Sequence, residues 1–109
     1  MPGLRQLRLR IDELDRRIVA LLNERAELAR EAGRVKAAAG RRRMADRERE
    51  REVLLRVTMA NEGPLPQAEL ISIYRRLITA TRALEALDRE RDRTSPGLDG
   101  TSPGPEGGG

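Results

Sequence analysis

Two cations set the first question. Arg25 interrupts a run of aliphatic residues between Leu21 and Leu28, and Lys36 follows eleven residues later. On a helix that separation is about 20° around the axis and roughly 16 Å along it. Two long cationic side chains reaching toward each other leave a gap the width of a small dianion. Arg8 lies well off that line, so only a crossing helix from a second chain would bring it in. Further along, Asp46, Arg49 and Glu50 head an apolar face, and Thr81 and Glu85 close another, one turn apart. Each has an ordinary reading: a seam Arg snorkels or sets register. Acids in a first turn suit the helix dipole, with Asp46 and Arg49 at ion-pair spacing. Glu85 would be an exposed residue at a fraying end. Taken together the ordinary readings weaken, because every apolar face is broken by polar groups that are costly to bury unpaired. One pocket for a charged ligand accounts for the whole set.

The chain has no His and no Cys. That excludes thiolate nucleophiles, disulfides, the commonest metal ligands and the commonest neutral-pH acid/base group. Chemistry here falls to Arg, Lys, carboxylates and hydroxyls. The net charge of +4 on 109 residues fits an anionic partner, or simply a solvated, salt-bridged surface.

These side chains need elements to hold them. Leu4, Leu7, Ile11, Leu14, Ile18 and Leu21, then Leu28, Ala32, Val35 and Ala39, recur in alternating steps of three and four. That heptad stripe predicts one long helix over residues 4–39, on the order of 50 Å in length. Gly40 with Arg41, Arg42 and Arg43 makes a basic connection. Asp46, Arg49, Glu50, Val53 and Val57 then mark one face of a second helix over residues 46–61. Gly63, Pro64, Leu65 and Pro66 break the chain. A third helix over residues 66–91 carries the stripe Leu70, Tyr74, Leu77, Ile78, Thr81, Leu84 and Glu85, with Pro in its first turn. No segment has a strand pattern, so the fold class is all-α: three helices, the first much the longest.

Residues 1–91 form the expected domain, and residues 92–109 a disordered tail. From Thr94 onward the chain holds six of the ten Gly and three of the six Pro, too little apolar surface to bury. About ninety residues with a single aromatic, Tyr74, make a marginal core, which predicts a partner chain. The N-terminus lacks a run long enough for a signal peptide or membrane span, so a cytoplasmic protein with no membrane association is expected.

The stretch LRLRIDELDRRIVALLNERAELAREAGRVK, residues 7–36, resembles the first helix of the all-helical chorismate mutases. DREREREVLLRV, residues 46–57, is similar to that family's second-helix motif, and IYRRLITATRALE, residues 73–85, to its third. Three motifs in the right order cover residues 4–87. The resemblance implies an intertwined homodimer whose long first helices cross, with two pockets that each draw on both chains. It implies a cofactor-free isomerase that turns chorismate into prephenate in phenylalanine and tyrosine biosynthesis. By position, Arg25 and the second chain's Arg8 would bind the substrate carboxylates. Lys36 would meet a carboxylate and the ether oxygen whose bond breaks. Asp46 and Glu50 would hold the ring hydroxyl, and Arg49 would orient that helix end. Thr81 stands where the family often has Ser and keeps the hydroxyl. Glu85 stands where many members have Gln, a departure with a consequence: an ionised Glu repels a developing negative charge that Gln would stabilise. The catalytic set implied is Lys36, Glu85 and Arg25, with no metal.

Relatives of the same fold cleave isochorismate to pyruvate and salicylate or rearrange the 4-amino analogue of chorismate. Glu50 suits a ring hydroxyl and favours the mutase. A basic helical dimer that binds nucleic acid or a partner helix is the alternative from another class. The absence of stacking aromatics, and Arg residues interleaved with acids, argue against it. Arg41, Arg42 and Arg43 are left with three roles: gating the pocket, contacting another shikimate-pathway enzyme, or facing water.

Overall fold

The computed structural model describes residues 1–40 and 43–94. It has three helices, α1 (Leu4–Ala38), α2 (Arg43–Ala60) and α3 (Gln67–Thr94), and no strand among the described residues.

The helix ends follow from local chemistry. Gln6 reaches back so that the Gly3 amide donates to its Oε1 at 3.3 Å, while the Leu7 amide donates to the Gly3 carbonyl at 3.0 Å. These bonds satisfy groups that a helix start leaves orphaned. At the other end of α1 the Ala39 amide donates to Val35, and Gly40 turns the chain at φ 69°, the left-handed region where a Cβ would be strained. Asn61 organises the turn between α2 and α3. Its Nδ2 donates to the Leu65 carbonyl at 3.1 Å and to Gln67 Oε1 at 3.0 Å, while its Oδ1 accepts from the Gly63 amide at 3.0 Å. Pro66 lies just before α3 and its carbonyl accepts from the Leu70 amide. It therefore precedes the first turn, where the sequence had placed it inside.

Two boundaries move further. α2 starts at Arg43, three residues earlier than the expected Asp46. α3 continues through Asp92 to Thr94, past the expected domain edge at Arg91. Asp92, Arg93 and Thr94, which composition counts had merged with the Gly-rich tail, hold no Gly or Pro and continue the helix of residues 88–91. Residues 95–109, the rest of that expected tail, lie outside the described residues, as do Arg41 and Arg42.

α3 is the central element and packs on both α1 and α2. Its stripe faces inward as the spacing predicts, with Ile78 and Thr81 buried and Leu70, Tyr74, Leu77, Leu84 and Glu85 half-buried. The rest of the chain is open. Every residue from 1 to 24 is exposed, and Leu4, Leu7, Ile11, Leu14, Ile18 and Leu21 keep between 42% and 64% of their surface. Full burial of one such side chain is worth about 1.5–3 kcal/mol. Six of them on show forgo an amount comparable with the net stability of a whole domain, about 5–15 kcal/mol. The radius of gyration is 19.3 Å, against about 13 Å for a compact domain of this size. The first two-thirds of α1 is an arm that the other described residues do not cover. No helix among the described residues is long and apolar enough to cross a membrane.

Candidate active site

Where the second half of α1 meets α2 and α3, the three helices enclose a cavity of about 310 Å³. Its apolar wall comes from Leu28, Ala29 and Ala32 of α1, Val53 of α2 and Ile78 of α3. Its polar lining holds seven of the eight residues singled out by sequence: Arg25, Lys36, Asp46, Arg49, Glu50, Thr81 and Glu85. The eighth, Arg8, is exposed on the uncovered arm of α1 and does not line this cavity.

Arg25 reaches in from α1, and its guanidinium carbon lies 5.8 Å from the centre of the Tyr74 ring on α3. Such a contact is worth about 0.5–1 kcal/mol at an open site and holds the cation in place. Among the described residues no carboxylate pairs with Arg25, so its hydrogen-bonding fork is available to a ligand.

The other cations are engaged. Lys36 Nζ donates to Asp46 Oδ1, tying the end of α1 to the start of α2 across the connection. Arg82 Nη2 pairs with Glu50 Oε2 at 2.8 Å and donates to the Asp46 backbone carbonyl at 3.3 Å. Arg49 pairs with Glu52 on its own helix. The i,i+3 pair expected of Asp46 with Arg49 is therefore replaced by other partners. α2 begins three residues earlier, so Asp46 sits inside the helix, facing α1.

Thr81 is buried, and its hydroxyl donates to the Leu77 carbonyl at 2.9 Å. A buried hydroxyl satisfied by its own helix retains lone pairs for a second partner. Glu85 lies against Gly33 of α1, where a Cβ would stand 3.3 Å from its Cγ and Cδ. A side chain at residue 33 would therefore press on Glu85. Glu85 also lines a second cavity of about 230 Å³ together with Arg30 and Asp88, an ion pair in which Arg30 Nε and Nη2 donate to the two Asp88 oxygens, each at 2.8 Å. This two-pronged geometry is the strong form of the interaction. The Arg30 hydrogen bonds hold the Asp88 carboxyl below the usual carboxylate range.

Sequence reasoning missed Arg82, Gly33 and the Arg30–Asp88 clamp. Gly33 fell within the stretch used for the family resemblance, but nothing in its own chain marked the approach of Glu85. Arg82 sits beside Thr81 and carried no periodic signal.

The arrangement suits a small dianion with a hydroxyl: a free guanidinium, an ammonium in contact with one carboxylate, a second carboxylate, and apolar lining around them. It offers no His or Cys for covalent or acid/base work.

The family described as chorismate mutase type II matches residues 7–86. A bifunctional chorismate mutase/prephenate dehydratase of Aquifex aeolicus is 40% identical over 89 residues, covering 78% of this chain and 24% of the relative. One of the same description from Stutzerimonas stutzeri is 40% identical over 86 residues, covering 75% and 24%. The chain thus spans about a quarter of the length of the curated relatives it matches. Among solved structures, a chorismate mutase (form II) from Thermus thermophilus superposes with a TM-score of 0.71 at 32% identity, covering 76% of this chain and 93% of that one.

Proposed function

The chain belongs to the chorismate mutase type II family, and from that premise we propose that it is a cytoplasmic, homodimeric chorismate mutase that rearranges chorismate to prephenate without a cofactor. The observation that carries the reading is the convergence of Arg25, Lys36, Asp46, Glu50, Thr81 and Glu85, from three helices, on one cavity.

The rearrangement is intramolecular: one carbon–oxygen bond breaks as one carbon–carbon bond forms, with no nucleophile and no obligatory proton transfer. Catalysis then needs two things, a folded-over enolpyruvyl side chain and stabilisation of the charge that grows on the ether oxygen. Arg25 takes a substrate carboxylate with its unpaired fork, which suits planar two-point recognition. Lys36 serves a carboxylate and the ether oxygen. Asp46 already bonds Lys36, so it aims the ammonium as well as facing the ring end. Glu50 accepts from the ring hydroxyl, Arg49 orients that helix end, and Thr81 supplies its hydroxyl. An acceleration of about 10⁶ requires roughly 8 kcal/mol, within reach of positioning plus one well-placed cation.

The uncovered stripe of α1 supports the dimer, since a second α1 crossing it would bury the six exposed aliphatic residues. The same crossing is how the second chain's Arg8 reaches the cavity. The relatives' names join the mutase to a prephenate dehydratase, which supports association with an enzyme that consumes prephenate.

The test is turnover by the purified chain of chorismate, isochorismate and 4-amino-4-deoxychorismate, each followed by absorbance. Chorismate alone should give rapid isomerisation. Lys36→Ala should lose about 100- to 1000-fold in kcat, the usual cost of removing one donor to a developing oxyanion. Arg25→Ala should lose on the order of 100-fold in kcat/KM by removing a carboxylate anchor that positions the substrate. Near-full turnover by either variant overturns the mechanistic assignment, and preference for another substrate overturns the reaction.

A further inference from the structure

Arg82 lines the cavity but has no place in the set that the family resemblance implies. Its Nη2 makes two contacts at once, with Glu50 Oε2 at 2.8 Å and with the Asp46 carbonyl at 3.3 Å. Both partners belong to the ring end of the site. Both also lie on α2, while Arg82 projects from α3. A single guanidinium therefore fixes the first turns of α2 against α3 and selects one orientation of the Glu50 carboxylate.

That orientation matters because Glu is a long side chain with three rotatable bonds, and ordering it at the moment of binding costs conformational entropy. An ion pair formed beforehand removes that cost from the binding step. Arg82 is partly exposed and Glu50 less so, with 46% and 30% of their side-chain surface accessible. An exposed pair of this kind adds little to folding. Its consequence is for the site and not for the fold.

We propose that Arg82 is a positioning residue for the ring end of the substrate: it holds Glu50 through Oε2 so that Oε1 is aimed to accept from the ring hydroxyl. This rests on the mutase reading above. The hydroxyl contact is present in ground state and transition state alike, so its weakening raises KM more than it lowers kcat. Arg82 acts through Glu50 and not on the reacting bond.

The experiment is a double-mutant cycle on the dimeric enzyme with Arg82→Met, which keeps an apolar stem, Glu50→Ala, and the two combined. Arg82→Gln runs in parallel in case the Met variant folds poorly, with helicity and thermal melting recorded for every protein. In the wild-type background either Arg82 variant should lose about five- to tenfold in kcat/KM, mostly as a rise in KM, with melting nearly unchanged. In the Glu50→Ala background the same change should cost less than about twofold, because coupled residues are not additive. Equal losses in both backgrounds, a loss confined to kcat, or no loss at all would each overturn the proposal. Absence of chorismate turnover in the wild type would instead sink the mutase reading, which separates the two failures.

Discussion

An amide N–H donates to an ether oxygen and an ionised carboxylate does not, so Gln at position 85 would supply the proposed reaction with a contact that an ionised Glu withholds. The side chain lies beside Gly33 of α1, in the lining of the cavity that also holds Lys36. Glu85→Gln should therefore raise kcat, because an amide N–H can meet the charge that grows on the ether oxygen. Steady-state kcat of both proteins with chorismate checks it, and an unchanged or lower value for Glu85→Gln would refute the role. Arg25 makes the opposite point. Its guanidinium only donates, so the Tyr74 contact and the free fork give a substrate carboxylate an anchor.

Among the elements, the α1–α3 junction rests on Arg30 and Asp88. The Arg30 hydrogen bonds lower the Asp88 carboxyl below its ordinary value. A group depressed in the folded state stabilises above its unfolded value, near pH 4, and that contribution is lost as pH falls through the folded value. Asp88→Asn should thus unfold at lower urea than wild type at pH 7, with the difference shrinking below pH 3. A gap of equal size at both would mean the clamp adds nothing through charge. The clamp also marks the limit of what could be read from the sequence. Three helices and their inward faces were legible, because Leu70, Tyr74, Leu77 and Ile78 recur with the helical period and a period survives local exceptions. So were seven residues that line the cavity, because Arg25 or Glu50 on an apolar face contradicts its surroundings. Arg30 with Asp88 and Arg82 with Glu50 were not legible. Such pairs join residues 58 and 32 positions apart, and nothing in a single chain ties one charge to another across a turn. The start of α2 was misplaced for a related reason. Its first turn holds Arg43, Met44 and Ala45, which form helix readily but carry no apolar rhythm.

For the whole molecule, the proposed site is divided between chains, and complementation tests this directly. Arg8→Ala and Arg25→Ala should each be nearly inactive alone. Mixed and allowed to exchange, half of the dimers pair one of each, and one site in such a dimer combines an intact Arg25 with an intact Arg8. About a quarter of wild-type activity should return, as an isologous pair with two equivalent sites requires. An active Arg8→Ala would place Arg8 outside the site, and no recovery after verified exchange would mean that the site is not shared between chains. The bare aliphatic row along the first two-thirds of α1 carries one more implication. If the proposed centre borrows an arginine, it exists only as often as two chains meet, and the rate per chain then depends on how much enzyme is present. On progressive dilution, velocity should drop faster than concentration and approach its square, and the same loss of partners would leave the long helix without its support.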